Sequence, residues 1–189
     1  NVCPTTSVHT ITSEGDGRQL KSMRWGFLPK WYRTLNGGPL LINARSETIA
    51  SKPAFKEACR VRRCLIPCDG FYEWHRMEGK KPIPYRVTRS DGEPLVMAGI
   101  WQDWELGGEL VSSCAVVTTD ANAKMADIHH RLPVILNSDD WSLWLGELGN
   151  GAARLMKPVS DDTVNLVRVS QAVNSNRATG VELWHPLSV

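Results

Sequence analysis

The chain has 189 residues, and 22 Lys and Arg against 20 Asp and Glu leave a formal net charge of only +2. With 42% hydrophobic residues and 15 Gly it has a globular composition and the length to bury a real core, which excludes a disordered chain, a collagen-like chain and a disulfide-dense miniprotein. The small net charge hides an imbalance: residues 1–90 carry 16 Lys and Arg against 7 Asp and Glu, and residues 91–189 carry 6 against 13.

Gly, Pro, Asp and Asn punctuate the chain about every ten residues, which favours short strands over long helices. In chain order, strands are predicted over Val8–Thr12, Leu20–Trp25, Leu40–Asn43, Arg63–Ile66, Tyr85–Thr88, Leu95–Trp101, Leu110–Thr118 and Val164–Val169. Lys21, Met23 and Trp25 alternate with Leu20, Ser22 and Arg24, the period of a strand with two different faces. Helices are predicted over Ala54–Arg60, opened by Ser51-Lys52-Pro53, over Trp141–Leu148, opened by acids, and over Gly151–Met156. The sum is one strand-dominated α+β domain spanning residues 1–189, with curved antiparallel or mixed sheets, or a barrel-like core, and a few short helices. A regular β-α-β alternation and a phosphate-cradling glycine loop are absent, so a doubly wound nucleotide-binding fold is disfavoured.

The charge imbalance points to a polyanion partner for the basic half, unless the halves interleave in the fold and the charges mix. Five cysteines, an odd number without a C-x-x-C pair, argue for buried free thiols and a reducing, intracellular (cytoplasmic) setting rather than a disulfide framework or a zinc ribbon. No His or Cys spacing suggests a metal site, and none of the apolar runs approaches the roughly 18 residues of a membrane span.

Four segments set polar and ionisable residues beside apolar strands. In MRWGFLPKW, Trp25 and Trp31 flank a loop; Trp31 lies beside Lys30 and Arg33, where an exposed indole stacks a base while cations hold phosphate, and the bland reading puts the indoles in the core. In LINARSET, Asn43 and Arg45 close a strand, and Arg45 either forks a phosphate or pairs with Glu47. In RCLIPCDGFYEW, Glu73 lies in an aromatic strand and faces either solvent or a desolvated site suited to proton transfer. In DIHHRLP, His129 and Arg131 precede an apolar run, and an imidazole near a carboxylate acts as acid or base.

Taken together and in order, MRWGFLPKW, LINARSET, RCLIPCDGFYEW, PYRV, AGIWQDW, VVTTDAN and DIHHRLPVIL resemble the SOS response-associated peptidase (SRAP) family, the abasic-site processing proteins. The resemblance runs from NVCP at the start to the closing VSQAVNSNR and VEL. It implies binding of single-stranded DNA with an abasic site and a covalent protein–DNA crosslink, with no cofactor and as a monomer that joins the nucleoid when bound to damage. In that family the nucleophile is a cysteine directly after the initiator Met. Met removal frees its α-amine, the amine condenses with the sugar aldehyde, and the thiol closes a thiazolidine. That lead-in is expected ahead of Asn1, and Cys3 does not substitute for it. By motif, Asn43 would hold the terminal amine or the sugar, Glu73 would shuttle protons, and His129 would act on the sugar hydroxyl or the Schiff base. Arg45 and Arg131 would grip flanking phosphates, Trp31 would stack near the lesion, and Thr118 would line the pocket. His130 stands where the family commonly has Asp. The competing readings are a non-catalytic nucleic-acid binding module, and a cysteine hydrolase using Cys64 or Cys68 with His129.

Overall fold

The computed structural model describes residues 1–187. Its strands are β1 (Ser7–Glu14), β2 (Gly17–Trp25), β3 (Asn43–Arg45), β4 (Arg63–Cys68), β5 (Phe71–His75), β6 (Ile83–Arg89), β7 (Leu95–Leu106), β8 (Glu109–Asp120), β9 (Arg131–Pro133) and β10 (Val164–Arg168). The α-helices are α1 (Lys56–Val61), α2 (Ala123–Ala126) and α3 (Trp141–Leu145), joined by short 3-10 turns.

Strands β2, β1, β4, β7 and β8 follow one another, and β2 returns to β8 in parallel through Arg24 opposite Ser113 and Trp25 opposite Cys114, closing a five-stranded barrel. The strand β8 organises the site end of this barrel. One of its edges pairs with β7 and then β9, the other with β2 and then β3, so residues from three distant segments meet at its C-terminal end. A second sheet, ordered β10-β6-β5, leans on that end; Val87, Leu95, Met125, Leu132 and Val164 form the apolar layer between them.

The burial pattern explains the long apolar runs. Leu65, Ala98, Ile100, Ala115 and Val117 face one buried side with Phe27, Phe55 and Trp144. Their neighbours Cys64, Ile66, Met97, Cys114 and Val116 face another with Met23. Barrel strands covered on both sides lose the polar half of the usual alternation, and Leu95–Ile100 is accordingly buried at every position. On β2 the predicted alternation is present: Met23 is in the core and Leu20 is exposed.

Differences from the predicted elements have local causes. The strand predicted over Leu40–Asn43 starts where it was expected to end: Leu41 only bridges to Phe27, and regular pairing runs over Asn43–Arg45, because β2 holds the β8 edge up to Cys114. The strands β7 and β8 run 12 residues each, past both predicted limits, and turn through Gly107-Gly108, both with positive φ as a two-residue hairpin requires. Helix α3 stops at Leu145 because Gly146, at φ 87, takes the left-handed cap conformation. The predicted third helix is a 3-10 turn over Ala152–Leu155. The core tryptophans are Trp104 and Trp144, whereas Trp25, Trp74 and Trp101 are half-buried. No helix among the described residues is long and apolar enough to cross a membrane.

Candidate functional site

Glu73 lies on β5 between Tyr72 and Trp74, so it shares a face with Phe71, which packs into the apolar layers beside the barrel. The opposite face carries Tyr72 and Trp74 toward the C-terminal turns, where the Tyr72 hydroxyl donates to the Leu183 carbonyl. Strand β5 pairs only with β6, which leaves its other edge unpaired within the sheet. There the Trp74 backbone N–H donates to Glu73 Oε1 at 3.0 Å, while Glu73 Oε2 lies 3.6 Å from His129 Nδ1. The two side chains keep 23% and 30% exposure, enough for a small substrate to reach them.

His129 arrives from a separate segment, between α2 and β9. Asn122 caps α2, its side chain accepting from Met125 N, and the backbone N–H groups of Ile128 and His129 both donate to Met125 O. The ring nitrogen Nδ1 sits 3.1 Å from the Arg131 carbonyl and 3.2 Å from the Arg131 N–H. A protonated Nδ1 donates to the first and an unprotonated one accepts from the second. The Arg131 backbone therefore orients the ring in either tautomer. His130 is exposed, and its ring lies 4.5 Å from that of His129.

Arg131 differs most from its expected role. Its guanidinium forks onto Glu47 at 3.0 and 2.9 Å, and also donates to Asp120 Oδ1 and the Thr118 carbonyl, both at 2.8 Å. Every terminal nitrogen is thus engaged, and the side chain is 14% exposed. The fork holds the Glu47 carboxyl below its ordinary range. Glu47 therefore pairs with Arg131, not with Arg45. Thr118 is buried, with its backbone carbonyl committed to Arg131. Asn43 and Arg45 are both exposed on one face of β3, level with Val116 and Thr118 of β8. No ion pair among the described residues includes Arg45.

Trp31 is exposed, as expected, and its ring meets edge-on that of Tyr32, which packs with Trp104 and Val111. The thiols fit no nucleophile. Cys64 and Cys114 are buried, and burial pushes Cys68 up to about 11 and Cys114 up to about 12. No group of three or more His, Cys, Asp or Glu able to hold a metal occurs among the described residues. Sequence reasoning missed Asp120 and the engagement of Glu47 by Arg131, because those contacts join segments 84 and 11 residues apart.

The family model for SOS response associated peptidase (SRAP) matches residues 1–176. The abasic site processing protein YoqW of Bacillus subtilis (strain 168) is 35% identical over 187 residues, which cover 97% of this chain and 84% of that protein. The abasic site processing protein YedK of Escherichia coli (strain K12) is 30% identical over 188 residues, 100% of this chain and 76% of that protein. A crystal structure of a Bacteroides thetaiotaomicron protein superposes with a TM-score of 0.85 at 28% identity, over 97% of this chain and 82% of that one. Sequence match, shared fold and the ordered motifs around Glu73 and His129 agree, and the chain belongs to the SOS response associated peptidase (SRAP) family.

Proposed function

We propose that the protein processes abasic sites in single-stranded DNA and joins itself covalently to them. The observation that carries this reading is the pairing of Glu73 with His129, half-buried and 3.6 Å apart at the rim of a strand edge. Two relatives named abasic site processing proteins support the substrate. Arg45 on β3, exposed and outside every ion pair among the described residues, supplies a phosphate contact.

In this reading the nucleophile is an N-terminal cysteine exposed by removal of the initiator Met. Water adds to the Met–Cys peptide bond, Met leaves, and the cysteine gains a free α-amine. That amine adds to the aldehyde of the ring-opened sugar and expels one water, giving a Schiff base. The S–H then adds across the C=N bond, closing a thiazolidine with no net oxidation. Glu73 takes the proton from the attacking water and returns it to the leaving amine. His129, its ring oriented by the Arg131 backbone, gives a proton to the departing sugar oxygen and takes one back from water. Asn43 orients the amine or the sugar. The protein acts as a monomer.

The test uses the full-length protein and single-stranded DNA bearing one abasic site, resolved on a denaturing gel. A shifted band is expected, and its absence sinks the crosslinking reading. A complex seen only on a native gel would instead mark a non-covalent binding module. Glu73→Gln should slow Met removal and crosslink reversal by about 100-fold or more; unchanged rates of both would refute its role. The cysteine-hydrolase reading loses its support, since Cys64 is fully buried and Cys68 is held as a thiol.

A further inference from the structure

The sheet that carries Glu73 is braced from far along the chain. A 3-10 turn over Val181–Trp184, beyond the residues that the family model matches, lies against β5 and β6. Tyr72 and Arg86 stand directly opposite each other in the β5–β6 ladder, so their side chains share one face, the face turned away from Glu73. On that face the Tyr72 hydroxyl donates to the Leu183 carbonyl at 3.2 Å, and Arg86 donates to the Trp184 carbonyl. The Trp184 ring engages both residues. Tyr72 meets it edge-on with centroids 5.6 Å apart, and the Arg86 guanidinium lies 5.1 Å from its centroid. Leu183 beside it is buried. Farther on, Pro186 bridges to Val169 and the Leu187 N–H donates to the Arg168 carbonyl, so the segment reaches β10 as well. The turn into β5 is shaped to the same contact: a Cβ on Gly70 would lie 2.3 Å from the Val87 carbonyl oxygen and 2.9 Å from Trp184 Cη2.

We propose that residues 181–187 are a strap that sets the position of Glu73, with Tyr72 and Trp184 as positioning residues for the reaction. The inference rests on the abasic-site reading and adds to it what holds the acid in place. Strand β5 is 5 residues long and is paired along one edge only, so its ladder with β6 leaves it free to tilt about that edge. Phe71 anchors its start in the apolar layer, and the strap anchors Tyr72, the residue next to Glu73, from behind. An edge-on ring, a cation over an indole and two backbone carbonyls fix orientation as well as distance. His129 comes from a segment of its own, so the 3.6 Å between Glu73 Oε2 and His129 Nδ1 depends on two separately supported elements. A displacement of about 1 Å at such a pair costs about 100-fold in rate.

The test uses the full-length protein with Tyr72→Phe, which removes only the hydroxyl bonded to the strap, with Trp184→Ala, and with Trp184→Phe as the rescue. Single-turnover crosslinking at saturating single-stranded DNA with one abasic site reads the chemical step. Trp184→Ala should slow it by about 10- to 100-fold and Tyr72→Phe by about 3- to 10-fold. Trp184→Phe, which keeps an aromatic ring against Tyr72 and Arg86, should restore most of the rate. In a Glu73→Gln background the same changes should have little further effect, because the group they position no longer transfers a proton. Rates within about twofold of wild type, or losses that multiply with that of Glu73→Gln, overturn the inference. If Trp184→Ala fails to fold, Tyr72→Phe decides alone under the same criteria. A second arm needs no DNA: proton–carbon spectra of the free protein labelled at histidine. The His129 ring resonances should shift on Tyr72→Phe and stay in place when that change is made in Glu73→Gln; an unmoved His129 ring in both overturns the inference. A wild type that forms the covalent band with rates insensitive to the strap overturns this inference alone. A wild type that forms no covalent band overturns the abasic reading, and the His129 spectra then decide the strap by themselves.

Discussion

Arg45 and Arg131 lie near one end of β8, yet their surroundings divide their roles. Arg131 has two carboxylates and a carbonyl on its terminal nitrogens, and its backbone faces the His129 ring. Arg45 is exposed and outside every ion pair of the described residues. A guanidinium with its terminal donors spent has nothing left for a phosphate, whereas a solvated one displaces counterions on binding DNA. Arg45→Gln should therefore weaken single-strand affinity and reduce its salt dependence by about one contact. Arg131→Gln should leave the salt slope unchanged while slowing the chemical step through His129. Titrating both variants against single-stranded DNA at several salt concentrations, with single-turnover rates alongside, separates the two outcomes. A salt slope that falls for Arg131→Gln as it does for Arg45→Gln would return Arg131 to the phosphate contacts.

Among elements, two contacts carry testable weight. Gly99, on β7 between β4 and β8, has no room for a side chain: a Cβ there would lie 2.7 Å from Ile66 Cδ1 and 2.8 Å from Cys64 Sγ. Gly99→Val overpacks the barrel and should cost about 1–3 kcal/mol, read from the urea midpoint. Arg18 of β2 forks onto Glu147, just past α3, with both bonds at 2.9 Å, and also reaches Ser142. This lowers the Glu147 carboxyl to about 2 from 4.5. A depressed carboxyl pKa contributes stability above the unfolded value, and that stability disappears as pH falls from about 4.5 through about 2. Because the pair is partly solvated, the effect is about 1 kcal/mol. Denaturant melts between pH 5 and pH 2 should be flatter for Glu147→Gln than for the wild type.

At the scale of the whole molecule, barrel closure mixes the two charge halves. Strands β1, β2 and β4 from the basic half lie beside β7 and β8 from the acidic half, and the ion pairs of Arg18 with Glu147 and Arg131 with Glu47 cross the boundary. Some cations are thus neutralised across the boundary, and among the described residues those outside every ion pair are the ones open to a phosphate. Closure also seals the barrel thiols. Cys64 and Cys114 are buried, so alkylation of the native protein followed by mass spectrometry should leave both unmodified until the barrel unfolds as a unit.

The strand-dominated α+β class, most strand centres and the exposure of Trp31 were legible in the sequence. They depend on local periodicity, turn residues and short ordered motifs, all of which act within a few positions along the chain. The parallel closure of β2 on β8 and the capture of Arg131 by Glu47 and Asp120 were decided only in three dimensions. So was the placing of Trp74 on the wall of a shallow cleft. In each case the partner lies far along the chain, and whether a charged or aromatic side chain is spent or free depends on which distant strand the barrel sets beside it.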